Sequence, residues 1–106
     1  MIRSYANVQA LAAIATTNAN IHGFQSNERV RLLEFRTPTD AVALTVINVF
    51  VDGTLKYELI PSVYDNVIVI NEELPKGCAI DVAYVKGDVT PQTLGIVAVV
   101  DIEEVA

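Results

Sequence analysis

Tryptophan is absent from this chain, and cysteine, histidine and methionine occur once each. The lone cysteine, Cys78, excludes a disulfide within one chain and a multi-thiolate metal site. The lone histidine, His22, excludes a two-histidine metal site from one chain, and any histidine-based triad would have to use it. No nucleophile motif accompanies His22, so a surface or interface histidine is expected. Cys78 opens a strand beside Gly77 and carries no catalytic motif, so it is expected as a small buried hydrophobe.

Positive charge is also scarce. Seven Lys and Arg face thirteen Asp and Glu, a formal charge of −6. The densest basic stretch is Arg29, Arg31 and Arg36. Nucleic-acid binding needs a concentrated basic surface to neutralise phosphates, so no nucleic-acid partner is expected. No apolar run reaches the ~20 residues that cross a bilayer, so no membrane span is expected. Gln9 interrupts the apolar run Val8 to Ala15, and no cleavage pattern follows it, so a secretory signal is not expected either. The five glycines form no phosphate-cradling cluster. The acidic residues show neither calcium-loop spacing nor an organised catalytic pair. No metal, no cofactor and no enzymatic activity are therefore expected.

What the chain has in excess is apolar residue. The hydrophobic fraction is 52% and the charged fraction 19%, against roughly 25% charge in an average domain. Val, Ile and Ala dominate, and β-branched residues favour strands. A single 106-residue domain buries only about two-thirds of its chain surface. Part of the apolar excess is thus expected to line a subunit contact.

Texture divides the chain into 1–27, rich in Ala, Asn, Thr and Gln, and 28–106, dense in Val, Ile and Leu. In the first part Val8, Leu11, Ala12 and Ala15 recur at helical spacing, which predicts a short helix over Asn7 to Ala15. Residues 16–27 read as extended or irregular chain, an N-terminal arm with Ile21 and Phe24 as anchors on a neighbour. In the second part strands are expected over Arg29 to Phe35, Ala41 to Val51, Thr54 to Ile60, Val67 to Ile70, Cys78 to Val85 and Gly95 to Ile102. Asp52-Gly53 predicts a two-residue hairpin, because both centres of a type I′ turn need φ > 0. Pro75 and Gly77 punctuate a loop over Glu72 to Gly77, and Gly87 marks a further turn. Thr90-Pro91-Gln92 is expected to prevent regular pairing. In Arg29 to Phe35, Val30 and Leu32 are expected on one face, Leu33 and Phe35 on the other. Ala41 to Val51 is apolar on both sides, as in a central strand or one that also faces a partner, with Val42 on the candidate contact side. The layer rule then gives an all-β, antiparallel β-sandwich or small jelly-roll-like barrel, with an extended or short-helical N-terminal arm.

The segment VFVDGTLKYELIPSVYDNVIVINEELPKGCAIDVAYV, Val49 to Val85, carries a resemblance. A strand runs into the Asp52-Gly53 hairpin, a strand with Tyr57 follows, and Val67 to Ile70 is a short apolar strand. Leu74-Pro75-Lys76-Gly77 then leads into Ile80-Asp81-Val82-Ala83-Tyr84. This order resembles the small β-sandwich modules of tailed-bacteriophage virions, found in tail and fibre components. The insert Ile60 to Asn66 is longer than the tight link of that pattern. The resemblance implies a non-enzymatic virion structural protein, made in the host cytoplasm, that binds protein surfaces and oligomerises. A short stand-alone chain of this kind looks like a capsid decoration or cement protein. Its implied partners are further copies of itself, as a dimer or trimer, and the major capsid or tail protein. A tail or fibre component is the alternative within the virion. A glycan- or peptide-binding module is the alternative outside it, with Tyr64 and the loop 72–77 as its contacts.

Overall fold

The computed structural model describes residues 1–11, 15–37, 45–60, 67–86 and 92–105, and among them are eight strands and no helix. In chain order they are β1 (Ile2–Leu11), β2 (Ala15–Gly23), β3 (Glu28–Arg36), β4 (Thr45–Val51), β5 (Thr54–Leu59), β6 (Val67–Leu74), β7 (Ala79–Lys86) and β8 (Gln92–Glu104). They form two four-stranded antiparallel sheets, ordered β1-β8-β3-β6 and β2-β7-β4-β5. Every connection except the β4–β5 hairpin passes from one sheet to the other. That is the strand order of a jelly roll, two Greek keys folded over one core. The antiparallel β-sandwich expected from the strand pattern is the observed architecture.

The core lies where the period-two alternation of each strand points inward. β7 contributes Ile80, Val82 and Tyr84, as its pattern predicts, and β4 contributes Ile47, Val49 and Val51. β8 contributes Leu94, Ile96, Ala98 and Val100. β3 departs from simple alternation. Its register shifts between Leu32 and Glu34 against both neighbours, a bulge at Leu33. The extra residue returns Phe35 to the inner face beside Val30 and Leu32, not to the opposite face with Leu33. Each fully buried Val, Leu, Ile or Phe contributes about 1.5–3 kcal/mol relative to exposure. Cys78 is buried in the same core, as expected.

Two turns position the strand ends. Asp52 and Gly53 hold φ of 52° and 80°, with Val51 opposite Thr54, so the β4–β5 hairpin is the one its dipeptide predicts. Asp52 also ties the turn to β7: its N–H donates to the Ala79 carbonyl at 3.0 Å, and its Oδ1 accepts from the Ala79 N–H at 3.0 Å. In the turn from Pro75 to Cys78, Gly77 has a φ of 70°, and a Cβ there would lie 2.9 Å from the Ser26 Cα. Only glycine satisfies both conditions. Gly87 lies outside the described residues.

The structure corrects the reading of the N-terminal third. Residues 1–27 are not an arm. β1 pairs along its whole length with β8, and β2 pairs with β7. Asn7 to Leu11 is strand, so the helical spacing of Val8 and Leu11 is coincidental. In the strand Val8 points out, 66% exposed, and Leu11 points in, 2% exposed. Ile21 and Phe24 are buried in the chain's own core instead of reaching for a neighbour. Two loop expectations also shift. β6 continues through Glu72 and Glu73 to Leu74, so the loop begins at Pro75. Gln92 is already paired with Leu11, so β8 starts there.

A tyrosine closes each open edge between the sheets. The Tyr84 hydroxyl on β7 reaches Asn7 on β1, 3.0 Å from its Oδ1 and 3.3 Å from its carbonyl oxygen. Burial pushes this phenol up to about 12. At the other edge the Tyr57 hydroxyl donates to Glu72 Oε2 at 2.8 Å, joining β5 to β6, while Lys56 Nζ lies 2.8 Å from Glu72 Oε1. Burial raises the Tyr57 phenol, and the bond to Glu72 adds to it. The bond from Lys56, then that from Tyr57, holds the Glu72 carboxyl below its usual value of 4.5.

Deleting residues 1–27 should therefore abolish folding, because it removes an edge strand from each sheet and uncovers Tyr84. Circular dichroism and a thermal scan of the truncated chain should show no cooperative transition, and a sharp one would refute this placement. Glu72 sets an acid-side dependence. Its folded pKa lies below its unfolded one, so its stabilisation is present above the ordinary carboxylate range and is lost as pH falls through the folded pKa. Urea midpoints of Glu72→Gln should fall less between about pH 5 and 3 than those of the parent chain.

Candidate assembly interface

The two sheets bury their inner faces against each other, and their outer faces differ. On β2-β7-β4-β5 the outward positions include Thr16, Asn18, Asn20, Asn48, Glu58 and Asp81, and Asn20 Nδ2 donates to Asp81 Oδ1 at 2.7 Å. Val46, Phe50, Ala83, Val85 and the half-exposed Leu55 share that side, whereas the outer face of β1-β8-β3-β6 leaves Val8, Val67 and Val69 exposed. The register lines up its outward side chains in rows across the strands. Val8 faces Gly95. Below it run Ala6, Val97, Arg36 and Val67, then Ser4, Val99, Glu34 and Val69. The next row is charged: Ile2, Asp101, Arg31 and Glu73. At the far end Arg29 sits opposite Glu103.

So the face is graded from apolar at the Val8 end to charged at the Glu103 end. Val69 is 76% exposed and Val67 41%. Arg36 and Glu34 cross the apolar half, paired with each other at 3.2 Å. At the charged end Arg29 lies 3.8 Å from Glu73 and 4.0 Å from Glu103, and Arg31 donates to the Asn71 carbonyl at 3.3 Å. All are exposed pairs of the kind that contribute at most about 1 kcal/mol.

Gly95 shapes the apolar half. A Cβ there would stand 3.2 Å from Val8 Cγ2 and 3.3 Å from the Asn7 carbonyl oxygen. The missing side chain lets β1 lie close and opens a recess of about 440 Å³ bounded by Ala6, Val8, Thr37, Thr93 and Val97. Thr37 lines it with a buried Oγ1 that has no hydrogen-bond partner among the described residues.

Of the residues named from sequence as partner contacts, Ile21 and Phe24 belong to the core, and Val42 and Tyr64 lie outside the described residues. Ile21 and Phe24 are therefore not surface contacts. The exposed apolar side chains it assembles are Val8, Val67 and Val69, with Gly95 between the strands. A signal for them was present in β8. From Gly95 to Val100 both alternating sets are free of polar residues, which marks a strand covered on two sides.

The chemistry of Cys78 is quiescent. Burial first, then the nearby Asp52 carboxylate, pushes its thiol up to about 11, so it is protonated and weakly nucleophilic at neutral pH. Among the described residues no group of three His, Cys, Asp or Glu is arranged to hold a metal ion. No family model, curated protein or solved structure matches the chain.

Proposed function

We propose that this protein is a non-enzymatic structural subunit of a tailed-phage virion, a capsid decoration protein that assembles through the outer face of β1-β8-β3-β6. The unpartnered apolar half of that face carries the reading. Val8 on β1 and Val67 and Val69 on β6 are exposed on one sheet face, and exposed apolar side chains gathered on one face mark an association surface. The Val49 to Val85 resemblance supports the virion setting. The jelly-roll order agrees with it, since that architecture recurs in viral capsid proteins, although a fold by itself assigns no function.

The first occupant of the face is a second copy. Four strands about 4.8 Å apart and a β1 of ten residues rising about 3.3 Å each make a face of roughly 600 Å². Two copies then bury roughly 1,200 Å², above the ~1,000 Å² of a specific interface. Charge selects the arrangement. A two-fold axis along the strands sets β8 of one copy over β3 of the other. Asp101 then faces Arg31 across the contact and Glu103 faces Arg29, while Ala6 meets Val67, Ser4 meets Val69, and Val97 and Val99 lie over the stems of the mutually paired Arg36 and Glu34. The charged end is self-complementary under that axis, as an isologous contact requires. The dimer so formed presents its edges and the outer faces of β2-β7-β4-β5 to the capsid lattice.

Light scattering of the full chain should report a dimer. Val8→Lys combined with Val69→Lys should weaken it at least about a hundredfold, ~2.7 kcal/mol. Asp101→Arg should weaken it too, and Arg31→Asp in the same chain should restore it. A monomer at every concentration would sink the self-assembly. For the virion setting, peptides of this chain should be recovered from purified particles of the encoding virus in fixed ratio to the capsid protein. Recovery from the soluble fraction alone would overturn that setting.

A further inference from the structure

A second surface lies on the open side of the sandwich, away from the assembly face. β1 and β2 are edge strands of their sheets and flank each other there. The β2 register shifts between Asn20 and His22, leaving Ile21 as an extra residue. This bulge turns two consecutive side chains inward. Ile21 enters the core, and His22 stacks on Tyr5 with ring centroids 3.9 Å apart at 17°. Phe24 meets both rings edge-on, at 4.8 Å from His22 and 5.7 Å from Tyr5. Bulges at sheet edges commonly re-aim a side chain towards a site.

Tyr5 and His22 border a recess of about 530 Å³, within the range of small-molecule sites. Its rim is polar and of mixed sign: Arg3 from β1, Gln25 from the β2–β3 turn, Glu28 from β3 and Glu104 from β8. Glu28 and Glu104 oppose each other directly in the register, an arrangement of like charges that costs stability. Glu28 Oε1 accepts from the Gln25 N–H at 2.7 Å, and Arg3 Nε lies 2.9 Å from the Met1 sulfur. None of Arg3, Glu28 and Glu104 enters an ion pair among the described residues.

We propose that this recess binds a neutral sugar of one or two pyranose rings. The two carboxylates disfavour an anion, and Arg3 disfavours a simple cation. A polyol suits both signs, because each hydroxyl donates to a carboxylate or accepts from the guanidinium or amide. The C–H face of a pyranose packs on the exposed side of the Tyr5–His22 pair. The site shares no residue with the valine rows, so it stands or falls apart from the assembly reading.

The test is an amide-resolved NMR titration of the full chain with lactose, maltose, cellobiose and diacetylchitobiose, each at about 10 mM, tenfold above a millimolar Kd. Pentalysine and inorganic phosphate are titrated in parallel. At least one sugar should give saturable shifts at Tyr5, His22, Gly23 and Gln25. His22→Ala should weaken that binding about tenfold or more. Glu104→Gln, a rim change at an exposed strand end, should do the same without disturbing the fold, and Val69→Lys should not. The proposal is overturned if no sugar moves these resonances, if only pentalysine or phosphate does, or if both site variants bind the sugar as the parent chain does.

Discussion

The structure depends on one constraint: β8 is apolar on both faces, and the domain has one interior. Leu94, Ile96, Ala98 and Val100 fill the inner side of the strand. Gly95, Val97 and Val99 occupy its outer side. As the longest strand, with β1 on one flank and β3 on the other, β8 organises the whole β1-β8-β3-β6 sheet. Its inner side needs the second sheet, and that need draws β7 and β4 into place across the core. Its outer side is covered only by neighbours on the same sheet. Val99 is hidden to 9% exposure in this way, whereas Val8, Val67 and Val69 have nothing above them. The same strand therefore explains both the sandwich and the surface left over from it.

A sandwich with four strands per sheet has four edges, and this one treats them unequally. β5 and β6 are joined by the Tyr57–Glu72–Lys56 group, and β1 and β7 by Tyr84 and Asn7. Both devices place a polar side-chain bond between sheets whose backbone ladders do not meet. A buried phenol needs such a partner, and the partner fixes the spacing of the sheets as well as satisfying the hydroxyl. Near Gly23 the β1–β2 edge is closed by rings instead of by hydrogen bonds, with Tyr5, His22 and Phe24 packed on one another. An edge closed by stacking leaves ring faces and a polar rim within reach of solvent. Hence a recess bordered by aromatic rings and polar side chains is found at this edge.

Local signals were sufficient where local physics decides the conformation. Asp52-Gly53 fixes a hairpin whatever surrounds it, and the alternation of Ile80, Val82 and Tyr84 fixes the inner face of β7. They failed in the N-terminal third because edge strands carry weak patterns. In β2 the inward set includes Thr17 and Ala19, too small and polar to announce a buried face. The bulge at Ile21 then breaks the period that would have shown Ile21 and Phe24 to be core. The bulge at Leu33 likewise moved Phe35 to the face opposite its sequence parity. The candidate interface was half legible. Its cause, an apolar excess in a small domain, is compositional, but its location is not. Val8, Val97 and Val67 lie far apart in sequence and come onto one face only through the β1–β8–β3–β6 register. Nothing short of the strand order places them together.

That dependence on register bears on how such a surface persists without promoting aggregation. An exposed apolar sheet face is a hazard when any hydrophobic surface can cover it. Here the valine rows end in the charged rows of Arg31, Asp101, Arg29 and Glu103, whose signs alternate between β3 and β8. A partner that matches only the apolar half must leave these charges opposed or desolvated without a mate, and that loss discriminates against the wrong partner. In the proposed dimer, turned about the strand direction, Asp101 meets Arg31 and Glu103 meets Arg29. The valines supply attraction without direction, and the charges supply direction at little cost because they stay near solvent at the rim. In the proposed dimer, affinity and specificity are thus assigned to opposite ends of one sheet face, and both depend on the pairing of β3 with β8.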